Sequence, residues 1–125
     1  MRNADQTSGR HILLVEDNDF LAVDLELTLS DYGYRATIAS TVSAALQCIA
    51  EQVIDAAVLD VSLGGGESAF VIADTLESAD IPFVFLTGRS RRHLPPRFHH
   101  VSLHAKPYKL SELLVALEHL TSKGA

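Results

Sequence analysis

Ile12-Leu13-Leu14-Val15, followed at once by Glu16-Asp17-Asn18-Asp19, is the stretch that decides the fold. The apolar run is too short for a helix and does not alternate with polar residues, which is how a strand covered on both faces reads. The polar residues after it close the strand and open a segment of helical period from Phe20 to Tyr32, with Leu21, Leu25 and Leu29 along it. Gly33 stands where a helix ends in a left-handed turn.

Outward from this unit the same alternation recurs. Ala56-Ala57-Val58-Leu59 and Phe83-Val84-Phe85-Leu86 repeat the continuous apolar run, Val101-Ser102-Leu103-His104-Ala105 does so less purely, and Tyr34 to Ala39 reads as a mixed strand beside an edge. Between them, Val42, Ala45, Leu46 and Ile49 recur at helical spacing, as do Ala69, Ile72, Ala73 and Leu76, and then Leu110, Leu113, Leu114 and Leu117. Strands that alternate with amphipathic helices imply a parallel sheet with helices on both faces, because parallel neighbours need crossovers. The reading is therefore a doubly wound α/β domain over residues 10–121, with a leader at 1–9 and a tail at 122–125. The fourth crossover, Gly88 to His100, contains Pro95 and Pro96, which lack amide donors and clash with a preceding turn, so a short or broken helix is expected there.

Composition narrows the function classes. The 125 residues carry 16 acidic and 10 basic side chains, a net charge of −6, which argues against a phosphate-coating nucleic-acid binder and a polybasic membrane anchor. Cys48 is the only cysteine, so neither an intramolecular disulfide nor a cysteine zinc cage is available, and its apolar neighbours point to packing. The first nine residues have no apolar core, and no stretch approaches the roughly 20 apolar residues of a membrane helix. A cytoplasmic protein with no nucleic-acid or membrane partner is expected.

In such sheets ligands gather outside the carboxyl ends of the strands. Glu16, Asp17 and Asp19 follow the first strand, Asp60 the third, Thr87 the fourth and Lys106 the fifth. Carboxylates packed there repel unless a cation neutralises them, and hard oxygen ligands with a partly open shell suit Mg²⁺. A carboxylate beside that ion can attack a phosphoryl group, whose developing charge an ammonium and a hydroxyl would stabilise.

Four elements in order, ILLVEDND at 12–19, AAVLDVSLGGGES at 56–68, PFVFLTG at 82–88 and AKPY at 105–108, resemble the receiver domain of two-component response regulators. The PFVFLTG segment also resembles a subset of stand-alone receivers found in alphaproteobacteria. The resemblance implies a flavodoxin-like five-stranded sheet of order 2-1-3-4-5. It implies that Asp60 accepts a phosphoryl group from the phosphohistidine of a histidine kinase or phosphotransfer protein. Mg²⁺ would be held by Asp17 and Asp60 directly, by Glu16 through water, and by the backbone carbonyl of Ser62. Thr87 would be the switch hydroxyl, Lys106 the lysine that pairs with the phosphoryl group, and the bond before Pro107 a cis peptide that aims it. Such a domain is a phosphoacceptor that assists its own chemistry rather than an enzyme. Because the chain stops about one turn after its last helical stripe, output by protein contact or onward phosphotransfer is expected.

The departures from the pattern are specific. Leu103 occupies the place of a swinging aromatic or histidine, and Leu63-Gly64-Gly65-Gly66 replaces a stiffer Leu-Pro turn. Arg89, Arg91, Arg92 and Arg97 hold four of the ten basic residues, which suggests a loop that docks an acidic partner through Arg91 and Arg92, with Arg89 tuning dephosphorylation. Two other readings stay open. Asp17-Asn18-Asp19 also matches the DxD of haloacid-dehalogenase-like phosphatases, with Asp17 as nucleophile and Asp19 as acid/base. A pseudo-receiver would bind partners without phosphorylation.

Overall fold

The computed structural model describes residues 9–61, 69–88, 94–106 and 109–122. Strands β1 (His11–Val15), β2 (Arg35–Ala39), β3 (Ala56–Asp60), β4 (Phe83–Thr87) and β5 (Leu103–Ala105) alternate with helices α1 (Asp19–Asp31), α2 (Val42–Glu51), α3 (Ala69–Ser78) and α4 (Leu110–Ser122). The sheet is parallel throughout and ordered β2-β1-β3-β4-β5, as the sequence led us to expect. Chain order reverses between β1 and β3, which opens a crevice at their carboxyl ends.

The continuous apolar runs are double-sided because successive strand residues point to opposite faces. Leu13, Val15, Ala57, Leu59, Phe83 and Phe85 pack in the layer that holds α2 and α3. Ile12, Leu14, Ala56, Val58, Val84 and Leu86 pack against Leu25 and Leu29 of α1 and Leu113 and Leu117 of α4. The two edge strands are the less buried ones, which is why their sequences read as mixed.

Local chemistry fixes the helix ends. Asn18 caps α1 by accepting from the Leu21 amide at 3.0 Å, and Thr41 caps α2 by accepting from Ala44 at 3.1 Å. Gly33 ends α1 at φ +92°, while the Tyr34 amide reaches back to the Leu29 carbonyl at 3.0 Å. Asp80 does the same for α3 at φ +59°, with the Ile81 amide on the Leu76 carbonyl at 2.9 Å; a left-handed aspartate carries less sequence signal than a glycine.

The fourth crossover contains, among the described residues, only a 3₁₀ turn at Pro96–Phe98. Its hydrogen bonds run from Phe98 to the Pro95 carbonyl and from His99 to that of Pro96, so the prolines serve as acceptors and never need the donors they lack. Val101 spends its amide on Phe98, which is why β5 begins at Leu103 rather than at Val101. No helix among the described residues is long and apolar enough to cross a membrane.

Candidate functional site

Four strands bring the rim together. β1 ends at Val15, so Glu16 is held over the crevice by its own amide, which donates to the Ala39 carbonyl of β2 at 3.1 Å. Asp60 closes β3 opposite Leu86 of β4, which places Thr87 one step further along the same rim. The Lys106 amide donates to the Thr87 carbonyl at 2.8 Å, which fixes the lysine beside β4. Glu16, Asp60 and Thr87 are each at most 2% exposed, whereas Asp17 faces solvent.

The side chains complete a charge cluster. Oxygens of Glu16, Asp17 and Asp60 all lie within 4.8 Å of one another. Lys106 Nζ forks between Glu16 Oε1 and Asp60 Oδ2, 3.2 Å from each. The other Glu16 oxygen accepts from the Asn18 amide at 3.0 Å, so the helix cap and the carboxylate anchor are one residue. Burial pushes the Glu16 carboxyl up from its ordinary value, and Asp60 adds to the rise against the pull of the Asn18 amide and Lys106. Burial by itself would lower the Lys106 ammonium, but Asp60 and Glu16 outweigh it and the net shift is upward.

Among the described residues, one ammonium therefore faces three carboxylates, two of them almost wholly buried. That surplus of negative charge on hard oxygen donors, with Asp17 open to water, fits a hydrated dication such as Mg²⁺. Asp19 opens α1, where it complements the helix dipole, and the cluster is completed by Asp60 instead.

Of the remaining expectations, Leu103 is partly buried against the α2–α3 layer as the register partner of Phe85. Arg97 does not belong to a free arginine loop: it is paired with Asp74 of α3 at 3.0 Å, a contact between residues 23 apart. Ser62, the glycines Gly64 to Gly66, Arg89, Arg91, Arg92 and Pro107 lie outside the described residues. The Asn18 amide was not foreseen as an anchor for Glu16, although an N-cap two residues past an acidic strand end was there to be read.

No protein-family model matches the chain. It is similar to the transcriptional regulatory protein AfsQ1 of Streptomyces coelicolor, 34% identical over 79 residues that make up 63% of this chain and 35% of that one. The chain thus spans about a third of that relative's length. It is also similar to the non-phosphorylated HemR receiver domain from Leptospira biflexa, at 30% identity and TM-score 0.79, covering 93% of this chain and 97% of that one. The chain belongs to the response-regulator receiver domains. SdrG from Sphingomonas melonis Fr1 has the same fold at TM-score 0.77 and 36% identity, covering 95% of this receiver and 98% of that chain. The receiver's five parallel strands, ordered β2-β1-β3-β4-β5, match that fold.

Proposed function

We propose that this receiver accepts a phosphoryl group on Asp60 from the phosphohistidine of a histidine kinase or phosphotransfer protein, with Mg²⁺. The observation that carries the reading is Lys106 forked between Asp60 and Glu16 at 3.2 Å, inside a cluster whose negative charge exceeds what one ammonium balances. SdrG, a relative at 36% identity, has a BeF₃-activated conformation, which supports the same chemistry here.

In this reading an Asp60 carboxylate oxygen attacks phosphorus as the P–N bond breaks, and that bond's electron pair leaves on the donor imidazole. Lys106 turns from the carboxylates to the phosphoryl oxygens, and the Thr87 hydroxyl donates a hydrogen bond to them. Asp17 and Asp60 would hold the metal, with Glu16 acting through water and the Ser62 carbonyl as a further ligand. Bound Mg²⁺ would neutralise charge on the transferring group. Glu16 keeps Lys106 in place between transfers. The protein acts in the cytoplasm as a phosphoacceptor and passes the signal to a protein partner. Arg89 tunes access of water to the phosphoryl group, and Arg91 and Arg92 meet an acidic partner surface.

The test is labelling with acetyl phosphate and Mg²⁺ followed by mass mapping of the acid-stable adduct. The label is expected on Asp60 and absent from Asp60→Asn. A label on Asp17, or equal labelling of the variant, would overturn the assignment in favour of the phosphatase-like reading.

A further inference from the structure

Asp60 ends β3 and Thr87 ends β4, and the next described elements beyond them, α3 and the 3₁₀ turn, are joined to each other. The joint is a single stripe of α3. Phe70, Asp74 and Glu77 recur at i, i+4 and i+7, so they stack along one side of the helix. Each meets a partner from the fourth crossover. The Phe70 ring stacks on Phe98 with centroids 5.7 Å apart and planes at 19°. Asp74 receives a two-pronged bond from Arg97, Nε to Oδ1 and Nη2 to Oδ2, both at 3.0 Å. Glu77 meets His100 Nε2 at 3.0 Å.

The stripe is tied to the strand that carries Thr87. Phe98 is 1% exposed and meets the ring of Phe85, two residues before Thr87, edge-on at 5.7 Å. Arg97 lies over the Phe98 ring at 4.6 Å, so the ionic and aromatic parts share one residue pair. A two-pronged arginine–carboxylate bond holds only in one relative placement of its partners. The 3₁₀ turn therefore cannot slide along α3 without breaking the Arg97–Asp74 pair and shearing Phe98 off Phe70.

We propose that this α3–crossover zip is a brake on switching: it holds the 3₁₀ turn and His100 in their resting place against α3 and opens when Asp60 is phosphorylated. The inference rests on Asp60 being the phosphoacceptor. A contact made only in the resting state must lower affinity for anything that favours the switched state. Because the Arg97 and Asp74 side chains are 56% and 53% exposed, either can be changed without opening the core.

The experiment titrates beryllofluoride with Mg²⁺ into wild type, Arg97→Gln, Asp74→Asn, the double variant and Asp60→Asn, following the Arg97 Nε–H resonance where present. Each single variant should bind the mimic about twofold to fivefold more tightly than wild type, the size expected of an exposed ion pair. The double variant should match Arg97→Gln, because once the guanidinium is gone Asp74 has no bond to it left to lose. In wild type the Arg97 Nε–H signal should move as the site fills. Unchanged or weaker binding in the single variants, or an Arg97 signal that stays fixed at saturation, would overturn the brake while leaving the phosphoacceptor reading intact. A wild type that binds no better than Asp60→Asn would overturn both.

Discussion

The two ends of β1 each bury a polar side chain, and they do so on opposite terms. At the amino end, His11 is 4% exposed, its amide donates to Asp55 Oδ2 at 2.7 Å, and its ring nitrogens meet the Val53 carbonyl at 2.9 Å and the Thr37 hydroxyl at 2.7 Å. A carbonyl can only accept, so Nδ1 carries the proton and every ring donor and acceptor has a protein partner. At the carboxyl end, Glu16 is equally buried but shares one ammonium with Asp60, beside a further carboxylate. A buried polar group whose bonds are complete holds a structure together. A buried cluster left with surplus negative charge is one that a cation would stabilise.

The largest effect expected from this contrast lies at the His11 end. Replacing His11 with Ala removes two part-buried hydrogen bonds, to the Val53 carbonyl and the Thr37 hydroxyl, and leaves a void where the buried ring stood. The cost is expected to be about 2–3 kcal/mol of folding stability. Labelling of Asp60 by acetyl phosphate should be unaffected. Urea unfolding and mass-detected labelling on the same preparation check both halves, and lost labelling in a folded His11→Ala protein would break the contrast.

The same contrast explains what could be read from the sequence. Helices and strands were legible because burial imposes a period, and Leu13 or Leu14 signals its layer through its neighbours alone. The rim was legible because strand ends are adjacent to the apolar runs that define them, so Asp60, Thr87 and Lys106 are located by the strands. His11 was not, since its partners Thr37, Val53 and Asp55 come from later in the chain and leave no local pattern. Arg97 read as part of a charged loop because nothing near it in sequence announces Asp74. The edge character of β2 was seen, while the late start of β5 depends on the Val101 amide being taken by Phe98, which no propensity reports.

At the rim, removing Lys106 should cost less than emptying the His11 pocket, because Lys106 is 28% exposed and water screens part of its pairing. Lys106→Met keeps much of the length and loses the charge, so Glu16 and Asp60 repel without a counterion. We expect a loss of about 1–2 kcal/mol at neutral pH together with slower labelling. A variant as stable as wild type in urea would mean that the carboxylates are balanced by something other than Lys106.

Adding a cation is the converse experiment. Mg²⁺ at ten times its dissociation constant should stabilise wild type by about 1.4 kcal/mol, by binding only the native state. His11→Ala should show the same increment on its lower baseline, and Asp17→Asn should lose most of it. Thermal melts with Mg²⁺ and with chelator measure the difference. An increment that disappears in His11→Ala and survives in Asp17→Asn would place the cation at the wrong end of the strand.

The smallest effect concerns another histidine, His104, which burial makes harder to protonate. His104 lies in β5 as the register partner of Leu86, and burial lowers its pKa from 6.5, with Glu112 opposing the shift. A histidine whose folded pKa lies below its unfolded one binds fewer protons folded than unfolded in the interval between them. Its contribution is therefore constant above 6.5 and is lost as pH falls from there through the lowered folded value. Because the ring is only partly buried, the loss should stay below about 1 kcal/mol. His104→Gln removes the titration, so the fall in stability between roughly pH 7.5 and 5.5 should be shallower in the variant than in wild type. Urea midpoints of the two proteins at both pH values isolate this one group from the carboxylates they share. Parallel curves would show that His104 meets enough water to protonate as freely in the fold as in the open chain.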